Sequence, residues 1–243
     1  MLRSRSSLDA SVVHTDAGYR LEIQPSEIPQ YRFAQLDDYA LLARGAFPHR
    51  TVTLSIRSRV SQAEIPGTWG FGLWNDPFGL SLGFGGNPFR LPALPNSIWF
   101  FHASRENHLS FRNDKPANGM LAQVFQSPAF HAWLIPAGFL LPIFPRLTRK
   151  ILSLVIKQET AFLNMDLTEW HDFELQLNSE GSSFWVDGDI VLHTPIRPNP
   201  PLGLVIWIDN QFAAFTPEGK IRFGILNNPE PAWMEVTQIS LTK

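Results

Sequence analysis

The chain has 243 residues, 44% of them hydrophobic and 17% charged, with a formal net charge of -2. That much apolar material supports a large core and excludes a disordered chain, and the lack of a basic excess removes the electrostatic case for nucleic acid, which needs cations to displace counterions from phosphates. With no cysteine there is neither a disulfide nor a thiolate site, a usage compatible with a reducing compartment. All-β sandwiches commonly reach this length as one domain, and no linker divides the sequence, so a single domain over 1–243 is expected.

Met1 to Leu21 holds Arg3 and Arg5 with no apolar stretch behind them, which is not the form of a secretory signal; a cytoplasmic location is the expectation. Val52, Leu54 and Ile56 alternate with Thr53, Ser55 and Arg57, a half-buried strand whose polar face continues to Arg59. A turn at Pro66-Gly67 leads into Thr68 to Trp74, with Trp69, Phe71 and Leu73 on one face and Gly70, Gly72 and Trp74 on the other. Two glycines inside a strand suit a place where a ligand or another segment approaches the backbone. Asn75-Asp76-Pro77 ends that strand, Gly79 to Asn96 is an irregular loop, and Ser97 to Ser104 forms the next strand.

The segment 127–165 breaks the β pattern. Its apolar run, Ala132 to Pro145, carries three prolines and is shorter than the roughly 20 residues that span a bilayer. One short amphipathic helix is predicted between about 145 and 160, with proline tolerated in its first turn. Leu147, Ile151, Leu154 and Val155 sit at helical spacing, and Arg146, Arg149, Lys150 and Lys157 lie largely elsewhere around the helix. The apolar stripe either packs on the sandwich or serves, over 132–158, as a lid or lipid-surface element.

From Trp170 onward the strands are clearest. Phe173, Leu175 and Leu177 alternate with Glu174 and Gln176, Asn178 to Gly181 turns the chain, and Asp187-Gly188 supplies the positive φ angles of a tight hairpin. The aromatic strand Phe184-Trp185-Val186, that hairpin, and the apolar strand led by Pro201-Leu202-Gly203 together resemble the concanavalin A-like lectin and glucanase superfamily. The resemblance is specific over Trp170 to Asn210 and looser from about Tyr31. It implies an all-β fold, a concanavalin A-like antiparallel jelly-roll sandwich with one short helical insertion. A ligand site is implied on a sheet face or the loops at its edge.

The enzymes of that superfamily carry two catalytic carboxylates in the pattern Glu-x-Asp-x-Glu on one strand, and this sequence has no such stretch. Asp187 and Asp189 have the spacing but straddle a hairpin glycine. Gly79-Leu80-Ser81-Leu82-Gly83 matches a nucleophile elbow on paper, yet Phe84-Gly85-Gly86-Asn87-Pro88 cannot supply the helix that must follow Ser81. The histidines at 14, 49, 102, 108, 131, 171 and 193 lack ligand spacing, and His171 beside Trp170 is read as structural. Superfamily members often bind calcium, but only Glu235 is available in the final strand; no metal and no cofactor are expected.

What remains is a constellation on strand ends. Trp207, Asp209 and Gln211 alternate with Leu204, Ile206 and Ile208, and Trp74-Asn75-Asp76 repeats the chemistry, with Arg57 and Arg59 as candidate partners. Tryptophan beside Asp, Asn and Gln offers a flat ring to stack on a sugar and planar groups to hydrogen-bond it. Three readings follow: a saccharide- or glycoconjugate-binding surface; a glycoside hydrolase using Asp76 and Asp209, which requires carboxyls about 5 Å or roughly 6.5–9.5 Å apart; and a structural pairing of Asp209 with Arg57 or Arg59. Carbohydrate binding is the preferred expectation.

Overall fold

The computed structural model describes residues 2–26, 28, 30–77, 90, 93–128 and 144–243. The Gly79–Gly83 stretch with Ser81, His131, and all but the last two residues of the 132–145 run lie outside the described residues.

The described residues form two seven-stranded antiparallel sheets packed face to face. The front sheet runs in the order β1 (Arg3–Ser6), β4 (Phe33–Asp37), β13 (Gly203–Asp209), β6 (Thr68–Trp74), β7 (Ser97–Ala103), β8 (Gly119–Gln126) and β9 (Lys157–Phe162). The back sheet runs β12 (Asp189–Thr194), β11 (Ser182–Val186), β10 (His171–Leu177), β5 (Val52–Val60), β16 (Ala232–Thr242), β3 (Gly18–Ile23) and β2 (Ala10–Thr15). A separate hairpin joins β14 (Gln211–Phe215) to β15 (Ile221–Ile225). The expected antiparallel β-sandwich is the observed fold, with one α-helix among the described residues.

Period-two patterning explains why these segments pair as they do. In β5 burial alternates residue by residue, so Val52, Leu54, Ile56, Ser58 and Val60 face the other sheet and Thr53, Ser55, Arg57 and Arg59 face outward. The inter-sheet core closes on aromatic contacts: Phe71 meets Phe173 edge-on at 5.2 Å, and Phe100 meets Phe173 at 5.0 Å and Phe184 at 5.1 Å. Asp187 and Gly188, at φ 51° and 87°, make the predicted tight turn between β11 and β12. His171 ties that turn down, its Nδ1 2.7 Å from the Asp187 carboxylate and its Nε2 2.9 Å from the Asp166 carbonyl.

Within the predicted 127–165 insertion, the described residues from 144 onward depart from expectation in two ways. The helix α1 covers Pro145–Val155, and Lys157–Phe162 is strand β9, completing the front sheet at its edge. The helix is also rotated from the packing its leucines suggest. Arg149 is its buried residue, while Leu147, Ile151 and Leu154 are exposed.

Candidate functional site

Alternation on β13 puts Leu204, Ile206 and Ile208 into the inter-sheet core and leaves Val205, Trp207 and Asp209 on the outer face of the front sheet. Register carries that face across the neighbouring strands. Trp207 lies opposite Gln35 on β4 and Gly70 on β6; Gly70 lies opposite Phe101 on β7, and Gly72 opposite Trp99. A Cβ at either glycine would fall 2.4 Å from a carbonyl oxygen of β7, so any larger residue would push that strand away. The bare strip between the strands gives room for a cluster of three tryptophans. Trp74 and Trp207 are parallel within 3° with centroids 6.3 Å apart, and Trp99 tilts against both at 5.9 and 5.6 Å.

Hydrogen bonds within the protein orient the rings of this cluster. Trp207 Nε1 donates to Thr68 Oγ1 at 3.0 Å, and Trp99 Nε1 donates to Gln123 Oε1 at 3.3 Å. Trp99 is buried, whereas Trp74 and Trp207 are half-buried and offer ring surface at the edge of the cluster. Tyr39 and Phe47 back the Trp74 side, with Tyr39 edge-on to Trp74 at 6.1 Å.

Asp209 closes the other end. Its Oδ1 accepts from the Thr68 hydroxyl at 2.9 Å, and from the Thr68 and Gln211 backbone N–H groups at 3.3 Å each. Desolvation pushes its carboxyl up from 3.8 to about 7, against the opposing pull of those hydrogen bonds, which favour the ionised form. No cation lies within ion-pair distance of it among the described residues. Burial first, and then the nearby Asp209 carboxylate, hold the Tyr31 hydroxyl above its usual range. Trp207, Thr68 and Asp209 therefore form one hydrogen-bonded unit beside the tryptophan platform.

The other residues of the predicted constellation are placed elsewhere. Arg57 and Arg59 are on the outer face of the back sheet, where Arg57 lies 3.8 Å from Asp172 and Arg59 bonds Glu235 at 2.9 Å and stacks over Trp170 and Trp233 at 4.9 and 5.5 Å. The core separates them from Asp209, so the predicted pairing with Asp209 does not form. Gln211 starts β14, because β13 ends at Asp209 and the buried Asn210 ties the chain down by donating to the Gln30 and Leu226 carbonyls; the alternation does not continue past it. Asn75 is buried and staples the loop, accepting from the Asn96 N–H and donating to the Leu94 carbonyl.

Asp76 is not available as a catalytic acid. It is buried, its carboxylate pairs with Arg90, and Arg90 also donates to the carbonyls of Tyr39, Ala40 and Leu42 at 2.8, 3.0 and 2.7 Å. It also lies at the wrong end of the sheet. Asp209 pairs with Thr68 at one end of β6 and Asp76 follows Trp74 at the other, a separation on the order of 20 Å at the rise of a strand. Asp37, another carboxylate on this sheet, sits opposite Val205, about 13 Å along β13 from Asp209, and is held by Arg5 at 2.8 Å. Neither spacing suits the paired carboxylates of glycoside hydrolysis, which lie about 5 Å or roughly 6.5–9.5 Å apart.

Among the described residues no group of three or more His, Cys, Asp or Glu is arranged to hold a metal ion, and Glu235 is engaged by Arg59 and Arg20. The sequence did not single out Trp99 or Gln123. All seven residues of β7 are buried, so no alternation marks which of them face the site.

No family model matches the chain, and no curated protein matches it. Solved structures do. The chain is similar to LamAcat from Zobellia galactanivorans at 12% identity and TM-score 0.50, over 92% of this chain and 77% of that one. It is also similar to the carbohydrate binding module CBM66 from Bacillus subtilis at 8% identity and TM-score 0.42, over 99% and 95%. The alginate lyase AlyC3 in complex with dimannuronate aligns at 9% identity and TM-score 0.48, over 92% and 73%. At such identities the likeness to LamAcat speaks for the sandwich fold alone.

Proposed function

We propose that this protein binds a saccharide or glycoconjugate on the outer face of its front sheet, as an outlying branch of the concanavalin A-like group without the glucanase carboxylates. The observation that carries the reading is the parallel, half-buried pair Trp74 and Trp207. Trp207 has its donor satisfied internally, so it offers a ring face, the surface that stacks on the C–H face of a sugar ring. Asp209 and Gln35 flank Trp207 with groups able to bond hydroxyls, and Gln35 is already oriented by its donations to Asp37 at 2.9 Å and the Tyr39 hydroxyl at 3.3 Å.

The test is a glycan array followed by titration calorimetry on the best ligand, with wild type beside Trp207→Ala, Trp74→Ala and the back-sheet control Trp170→Ala, and a thermal melt of each. Loss of roughly ten-fold or more in affinity for the two front-sheet variants, with unchanged binding by the control, is the expected outcome. Binding that survives both front-sheet substitutions would move the site elsewhere. A wild type that binds no glycan on the array ends the proposal.

A further inference from the structure

The helix α1 presents its apolar side outward. Phe144, Leu147, Ile151 and Leu154 recur at the spacing of one helix face and are 55%, 56%, 48% and 77% exposed. The opposite face is fixed to the protein by Arg149. Its guanidinium donates to the Phe215 carbonyl and to Asn113 Oδ1 at 3.0 Å, and lies over the Phe215 ring at 5.2 Å. Leu152 and the buried Ile156 pack on the Trp99–Phe101 cluster from the same side. The rotation of the helix is thus set by a buried, hydrogen-bonded arginine, and the apolar stripe is a consequence of that anchoring. A contiguous stripe of this kind on a folded protein marks a contact surface.

From this geometry we infer that α1 is a docking element for an anionic lipid surface. The charge around the stripe selects the occupant. Arg146, Lys150 and Lys157 are exposed beside it and residues 144–157 contain no acid, so the three cations outweigh Glu218, which borders the stripe at Phe144 and Leu147, in a chain whose net charge is -2. A helix with a strongly apolar face, a cationic flank and little net hydrophobicity lies in the plane of a lipid–water interface, where apolar side chains enter the acyl boundary and cations meet headgroup charge. A second copy is a poorer occupant, because a two-fold contact through the stripe would bring the same cations against one another. The inference does not depend on the saccharide reading, since it concerns a different surface.

The experiment is co-sedimentation of the full chain with phosphatidylcholine vesicles, with and without about 30% phosphatidylserine. Wild type is expected to partition onto the anionic vesicles and to be released by raised salt. Leu154→Ser is expected to weaken partitioning roughly ten-fold and Lys150→Ala roughly five-fold. Both side chains are exposed, so unchanged melting temperatures show that the fold is kept. Absence of wild-type binding, or variants that bind like wild type, would overturn the inference. A concentration-dependent dimer in light scattering that Leu154→Ser abolishes would also overturn it, by assigning the stripe to self-association.

Discussion

Replacing Asp209 by Asn should make the protein more stable at neutral and alkaline pH, with the gain vanishing towards pH 4. In the fold the carboxyl titrates near 7, against 3.8 for its ordinary value, because burial disfavours the anion. The folded state therefore holds this proton more tightly than the unfolded chain. Stability from this group is fully present below about pH 4, declines as pH rises from 4 towards 7, and is flat above. At about 1.4 kcal/mol per pH unit the interval from 3.8 to about 7 bounds the loss at about 4 kcal/mol. Partial solvent contact brings a realistic figure nearer 2 kcal/mol. Asparagine keeps the Oδ1 that accepts from Thr68 and Gln211 but has no charge to desolvate. Urea denaturation of wild type and Asp209→Asn, from pH 4.5 to 8.5 at fixed ionic strength, should give free-energy curves that nearly coincide at the acid end. They should separate by about 2 kcal/mol at pH 8, with the variant above. A difference that does not change with pH would refute the reasoning, because it would mean that the carboxylate is already ionised in the fold at pH 4.5.

His102 provides the opposite dependence. It is stacked on Trp69 at 5.6 Å in the core, and burial lowers its pKa to about 4, so stability is fully present above pH 6.5 and lost as pH falls towards 4, by up to about 3 kcal/mol. His102→Phe should flatten the acid limb of a stability–pH curve, and a curve unchanged by the substitution would show that the histidine is accessible to protons. Arg90→Met should cost about 3–5 kcal/mol in a denaturant melt, because it strands the buried Asp76 carboxylate and three carbonyls; Arg90→Met combined with Asp76→Asn should recover part of the loss. A double variant no better than the single would locate the cost in packing. Gly70→Ala should destabilise by at least about 2 kcal/mol, read as a fall in melting temperature, since its Cβ meets the β7 backbone; a neutral result would mean that β7 yields there.

The strands were legible because their physics is local. Alternation in β5 and β10 follows from a side-chain period of two, and the Asp187-Gly188 turn from the φ angles that those residues tolerate. The same periodicity assigned Trp207 and Asp209 to one face, and the two glycines of β6 to a place where something else comes close. A face, however, does not say what lies across it. Which strand neighbours which is decided by pairing between segments up to 219 residues apart, as between Gly18 on β3 and Thr237 on β16, and no local signal encodes that. Hence Arg57 and Arg59, attractive partners for Asp209 along the chain, stand on the opposite sheet, while Arg90, in a loop with no pattern, holds Asp76. Hence also the inversion of α1: its amphipathic period set where the apolar stripe lies on the helix, but the hydrogen bonds Arg149 finds at Phe215 and Asn113 set which way that stripe points. By itself the sequence determined strand content, turn chemistry and the faces of single elements, all properties of residues a few positions apart. The tertiary structure alone decided the tryptophan cluster, the buried ion pair and the outward face of the helix, because each depends on groups that only long-range packing brings together.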